Sequence, residues 1–144
     1  MTHSSAPKGY FTVCPYLVLE NPEAELTFLT ATFGAEIRAR LHDDQNRVKH
    51  AEVLFGDSMV MIGLAGGPEQ ALPGMVHVYV PDCDQSYAAA LAAGAETIMA
   101  PADQFYGDRS AGVRSSNGIS WWIATQKEVV TPEETQRRLL AQNG

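Results

Sequence analysis

Phe33-Gly34-Ala35-Glu36 returns later in the chain as Ala93-Gly94-Ala95-Glu96, and each copy closes a segment with the same order of strand and helix signals. A chain duplicated in this way folds as two related modules. In the first copy an apolar strand from Val13 to Leu19 runs into Asn21-Pro22, a helix N-cap followed by proline at the first helical position, where a missing N–H costs nothing. Leu26, Leu29 and Phe33 follow at helical spacing, and Gly34 supplies a left-handed stop before a strand from Ile37 to Leu41. In the second copy Val76 to Val80 alternates, Asp82 and Gln85 make an acidic variant of the capping box, and Tyr87, Leu91 and Gly94 continue the parallel. The offset is 61 residues between the caps Asn21 and Asp82, and 60 between Gly34 and Gly94.

Each helix is followed by further strands, at Val48 to Phe55 and Ser58 to Leu64 in the first copy, and at Thr97 to Pro101 and Ile119 to Thr125 in the second. Phe55-Gly56-Asp57 and Asn117-Gly118 provide tight turns. The reading is an α+β chain of two tandem βαβββ modules, residues 11–64 and 75–126, within a single domain spanning 1–144. The Gly- and Pro-rich segment from Ala65 to Gly74 links them, because it can neither continue a strand nor hold a helix. Thr131-Pro132-Glu133-Glu134 opens a C-terminal helix over 131–142, with Arg137 and Arg138 toward the negative end of its dipole, as a packing or dimer element.

Composition narrows the function classes. Ten Lys and Arg against 17 Asp and Glu leave a net charge of −7. With no basic cluster, this argues against nucleic acid as a partner. No apolar run approaches the roughly 20 residues of a membrane-spanning helix. The polar start from Met1 to Lys8 has no secretory h-region, and Cys14 and Cys83 form no C-x-x-C pair, so the expected location is the cytoplasm with both cysteines as thiols.

Two βαβββ modules in tandem resemble the vicinal oxygen chelate superfamily, which includes glyoxalase I, extradiol dioxygenases, and fosfomycin and bleomycin resistance proteins. The resemblance is sharpest to its PhnB-like branch. It rests on Pro15-Tyr16-Leu17-Val18, Phe33-Gly34-Ala35-Glu36, His50-Ala51-Glu52 with Gly56-Asp57-Ser58, Gln104-Phe105-Tyr106-Gly107-Asp108-Arg109, and Trp121-Trp122-Ile123-Ala124-Thr125. The resemblance implies a mixed sheet curled around a cleft, a homodimer, and very often a divalent metal in the cleft. In metal-binding relatives one ligand stands seven positions before the residue that opens each helix, and another four positions after the turn glycine on each last strand. Counted here, these are Cys14, Met75, Val60 and Trp122. A thiol, a thioether, an alkyl group and an indole do not make a site for a hard divalent ion. No metal and no cofactor is therefore expected. The Asp-Pro-Phe-Gly-His turn usual in the branch is also replaced, by Ser115-Ser116-Asn117-Gly118-Ile119.

Met75, His77 and Tyr79 alternate on one strand and share a face, the one that lines the cleft in the family. Tyr16 shares its face with Cys14. Trp121 and Trp122 are neighbours on a strand, so only one can meet a ligand, and the glycine count selects Trp122. Phe105, Tyr106, Asp108 and Arg109 are read as a binding loop together with Gly107 and Gly112, against the plainer reading of a hairpin held by an Asp108–Arg109 pair. Tyr16, Tyr79, Phe105, Tyr106 and Trp122 are thus expected as walls, and His77, Asp108 and Arg109 as polar fixtures, around an apolar or aromatic ligand. The alternative is a lyase or isomerase, metal-dependent through His50, Glu52 and His77, or cofactor-free with His77 as its acid or base.

Overall fold

A computed structural model describes residues 6–142; the start of the polar leader, Met1 to Ser5, and the last two residues lie outside it. The first half runs β1 (Tyr16–Leu19), α1 (Pro22–Phe33), β2 (Glu36–His42), β3 (Val48–Phe55) and β4 (Ser58–Leu64). The second repeats the pattern as β5 (Met75–Tyr79), α2 (Cys83–Ala92), β6 (Glu96–Asp103), β7 (Asp108–Arg114) and β8 (Ser120–Gln126), followed by α3 (Pro132–Gln142). Each half forms a four-stranded mixed sheet, in the orders β1-β4-β3-β2 and β5-β8-β7-β6. The first strand pairs parallel with the last and the others pair antiparallel. The chain is α+β with two βαβββ modules and a C-terminal helix, as the duplication predicts.

Two compact units result, one reaching to Gly74 and including Ser116–Gly118, the other holding Met75–Ser115 and the chain from Ile119 onward. In the first, Asn21 caps α1 by accepting from Ala24 N at 3.1 Å, and Gly34 ends the helix at φ +63°. Leu26 and Leu29 are fully buried, and α1 lies on the face formed by Ala51, Val53, Val60 and Ile62. Asn117 belongs to this unit. It accepts from Asn21 N at 3.0 Å, and its Nδ2 donates to Asn21 O at 2.8 Å and to the buried Glu25 at 3.0 Å.

In the second unit Asp82 caps α2 by accepting from Gln85 N at 3.2 Å. The residues α2 buries are Cys83 and Ala90, whereas the spacing pointed to Tyr87 and Leu91. Tyr87 instead hydrogen-bonds Thr97 at 2.8 Å. An alanine-rich helix can lie close on its sheet, and Trp121, Ile123, Ala111 and Val113 supply the fully buried bulk beneath it.

Three differences from the sequence reading have local causes. The first strand begins at Tyr16 instead of Val13, because Pro15 has no N–H to enter the ladder; its carbonyl accepts from Met61 N at 2.8 Å. β6 continues through Pro101 to Asp103, which an edge strand tolerates, with a register shift between Met99 and Ala102 at the proline. Arg137 and Arg138 are not in the last turn of α3. They pair back onto Glu134, and Arg138 also donates to Glu128 and to the Phe105 carbonyl.

Candidate functional site

The face of the second sheet opposite α2 carries four of the eight predicted ligand contacts, His77, Tyr79, Asp108 and Trp122. Alternation along β5 turns Val76 and Val78 toward the helix side and leaves Met75, His77 and Tyr79 exposed. The parallel register sets His77 beside Trp122 on β8, and Trp122 in turn pairs with Gly112 on β7. The neighbouring row is Tyr79, Ala124 and Ser110. Trp121 faces the other way and is fully buried, so the two tryptophans divide between the open face and the core.

Gly112 explains how Trp122 lies. A Cβ at that position would stand 2.7 Å from Cζ3 of the indole, closer than real side chains approach. The ring therefore covers the bare backbone of the next strand. On its other side the His77 and Tyr79 rings lie with centroids 4.9 Å apart. Tyr79 donates from its hydroxyl to Asp108 Oδ2 at 3.2 Å. Although Tyr79 is 66% exposed, its hydroxyl tip leans on the buried Asp108. Loss of water at that tip, and then the carboxylate beside it, raise the Tyr79 pKa above the ordinary value.

The segment from Phe105 to Arg109 is not one loop. Only Gln104 to Gly107 turn, closed by Gly107 N donating to Gln104 O at 3.1 Å, and Asp108 already begins β7. Glycines at 107 and 112 suggested a loop, but Gly107 takes φ +101° in the turn whereas Gly112 is a strand residue left bare under Trp122. Phe105 and Tyr106 stand edge to face at the turn, with centroids 5.1 Å apart. Asp108 and Arg109, adjacent on a strand, point to opposite faces and do not pair with each other. Arg109 lies on the α2 side, bound by Asp84 at 2.7 and 3.2 Å and by Asp103 at 3.2 Å. These contacts raise its pKa and lower that of Asp84. It borders a hollow of about 210 Å³ at the start of α2, and its charge is already met by two carboxylates.

The corresponding face of the first sheet holds a different group. Tyr16 OH lies 3.3 Å from His50 Nδ1, His50 Nε2 lies 3.0 Å from Glu52 Oε2, and Tyr10 OH donates to Glu52 Oε1. Taken as one chain, Tyr16 donates to Nδ1, Nε2–H donates to Glu52, and both carboxylate oxygens accept. The Tyr10 hydroxyl first, and His50 after it, hold the Glu52 carboxyl below the usual glutamate range, against the opposing effect of burial. Tyr16 also covers a glycine, since a Cβ on Gly63 would stand 2.6 Å from its hydroxyl oxygen. Tyr10 escaped the sequence reading because it precedes any strand signal. His50 and Glu52 were legible as a same-face pair two residues apart.

The family's metal positions do not fit a metal here. Tyr16 pairs with Met61 as His77 pairs with Trp122, so Met61 is the counterpart of Trp122. Val60, reached by counting from Gly56, pairs with Val53 and lies buried on the α1 face. The corrected donor set, Cys14, Met61, Met75 and Trp122, is no better suited to a divalent ion. Among the described residues no three His, Cys, Asp or Glu side chains are grouped to hold one.

The fold and these two faces define a class, the duplicated βαβββ proteins whose sheets carry a helix on one side and leave the other side open. Residues 12–123 match the Glyoxalase/Bleomycin resistance protein/Dioxygenase superfamily, and the chain belongs to it. It is 26% identical over 139 residues to an uncharacterized protein of Mycobacterium bovis, covering 89% of this chain and 91% of that one. Its fold is similar to that of TioX from Micromonospora sp. ML1, with a TM-score of 0.69 and 24% identity over 79% of this chain and 97% of the other. A glyoxalase/bleomycin resistance protein/dioxygenase from Nocardioides aligns with a TM-score of 0.61 and 21% identity, covering 90% of each chain. No helix among the described residues is long and apolar enough to cross a membrane.

Proposed function

We propose that the chain is a metal-free small-molecule-binding protein of the bleomycin resistance type, within the PhnB-like branch, acting as a cytoplasmic homodimer that sequesters an apolar or aromatic compound. The observation that carries this reading is the indole of Trp122 over Gly112, with His77 beside it and the Tyr79–Asp108 pair in the neighbouring row, on a sheet face without a helix. A broad apolar plane with one N–H, beside an imidazole and a hydrogen-bonded phenol, suits stacking with a few polar contacts. Arg109 drops out of the proposed ligand contacts because Asp84 and Asp103 hold it on the other face. The test is elemental analysis with native mass spectrometry, followed by ligand screening against Trp122→Ala and His77→Ala. The reading predicts dimers without stoichiometric metal, binding without turnover, and a loss of about 1–3 kcal/mol in Trp122→Ala. Turnover abolished in His77→Ala would replace it with the enzyme reading.

One observation favours a second reading, a cofactor-free lyase or isomerase. The chain from Tyr16 through His50 to Glu52 can pass a proton between a phenol and a carboxylate. In that case activity falls in His50→Gln as well as in His77→Ala.

A further inference from the structure

The Glu52 carboxylate holds one acceptor oxygen through the protein framework and the other through the chain's own N-terminal segment. Oε2 is committed to His50, which Tyr16 holds in turn. Oε1 accepts from Tyr10. The segment that brings Tyr10 there enters no strand ladder before Pro15: its backbone bond is the local one from Tyr10 N to Pro7 O at 3.0 Å, and Phe11 and Val13 are exposed. Tyr10 is therefore held to this face by its phenol.

We infer that Glu52, oriented by His50, is a binding site for a phenolic hydroxyl, and that Tyr10 is its intramolecular occupant. This rests on the reading of the uncovered sheet faces as ligand-binding surfaces and adds a ligand class to it. The surroundings select the class. Met61 lies across from both Glu52 and Tyr16, and Ala39 flanks Glu52 on β2, so the acceptor is bordered by apolar side chains and an aromatic ring. An arene with a hydroxyl meets both requirements. One without a hydroxyl leaves Oε1 unpaired, and an anionic ligand is repelled by the carboxylate. A phenol arriving from solution must displace Tyr10, whose tether gives it a high effective concentration at the site.

The experiment is an NMR titration of the full chain with p-cresol and, in parallel, toluene, read at the methyl of Met61 and the ring of His50, in the wild type, Tyr10→Phe and Glu52→Gln. The expected result is p-cresol binding about tenfold tighter in Tyr10→Phe than in the wild type, because the internal competitor is gone. Binding should weaken about tenfold in Glu52→Gln, and toluene should bind far more weakly than p-cresol in Tyr10→Phe. Equal p-cresol affinity in the wild type and Tyr10→Phe overturns the role of Tyr10. Toluene binding as tightly as p-cresol overturns the phenol class while leaving small-molecule binding intact. No response to either compound at Met61 overturns the Glu52 site, and the proposed function is then judged separately, by ligand effects on Trp122. If Glu52→Gln does not fold, the comparison of p-cresol with toluene on Tyr10→Phe decides.

Discussion

The indole of Trp122 stands over the backbone of Gly112 so closely that a Cβ there would lie 2.7 Å from Cζ3 and 2.8 Å from Cη2. The absence of a side chain on one strand thus sets the orientation of the largest side chain on the next. Gly112→Ala must push the ring outward or bend β7. A cost of about 1–3 kcal/mol is expected, as for overpacking elsewhere. Urea unfolding gives the energy, and a shift in tryptophan emission in the folded variant reports the moved ring. An unchanged midpoint with unchanged emission would show that the ring does not rest on Gly112.

Trp121 and Trp122 differ by one position and should differ in kind. Trp121 is fully buried among Val113, Ala111 and Ile123, so Trp121→Ala opens a cavity and costs about 3–5 kcal/mol. Trp122 is half-buried and uncovered on one side, so Trp122→Ala costs about 1–2 kcal/mol from lost apolar contact. Equilibrium unfolding of both variants checks the order, and comparable losses would contradict the division between core and open face.

Legibility from sequence followed the range of the signals. The caps at Asn21 and Asp82 and the stop at Gly34 act on their own helices, and the structure forms them as read. The alternation that puts His77 and Tyr79 together is equally local. What failed depended on partners far along the chain. Gly112 reads as a loop residue until Trp122 is placed on it. Asp108 and Arg109 read as polar fixtures of one loop until the strand turns them apart, toward Tyr79 and toward Asp84. Tyr10 carries no strand or helix signal, because it is held to the sheet by its side chain, on a carboxylate 42 residues away. The count from Gly56 fell one residue short of Met61, which only the register on β1 reveals.

Glu25 is a carboxylate with no exposed surface, and Asn117 Nδ2 donates to it at 3.0 Å while also holding the backbone of Asn21. Asn117→Ala removes a donor from a buried ionisable group and should cost about 1–3 kcal/mol. Asn117→Asp should be worse, because it replaces the Nδ2 donor with an oxygen facing the Glu25 oxygen. Chemical denaturation of the two variants tests the ranking. Stability equal to the wild type in Asn117→Asp would show that Glu25 does not depend on this contact.

The hold of Glu52 on Tyr10 carries a definite pH sign. The folded carboxyl titrates below the ordinary 4.5, chiefly because the Tyr10 hydroxyl donates to it, so the contact contributes fully above that value and is lost as pH falls through the depressed folded value. At the other end the Tyr10 phenol is raised above 10.0, first by the same hydrogen bond, so the contact survives below 10.0 and is lost as pH climbs through the raised value. Between the two limits the segment stays on the sheet. Followed by NMR at the Tyr10 ring, identified by its disappearance in Tyr10→Phe, the signal should show an acid step below the ordinary 4.5. That step should be missing in Glu52→Gln, where no carboxylate remains to be protonated. An acid step of the same midpoint in Glu52→Gln would assign the transition to another group and leave Tyr10 without its anchor.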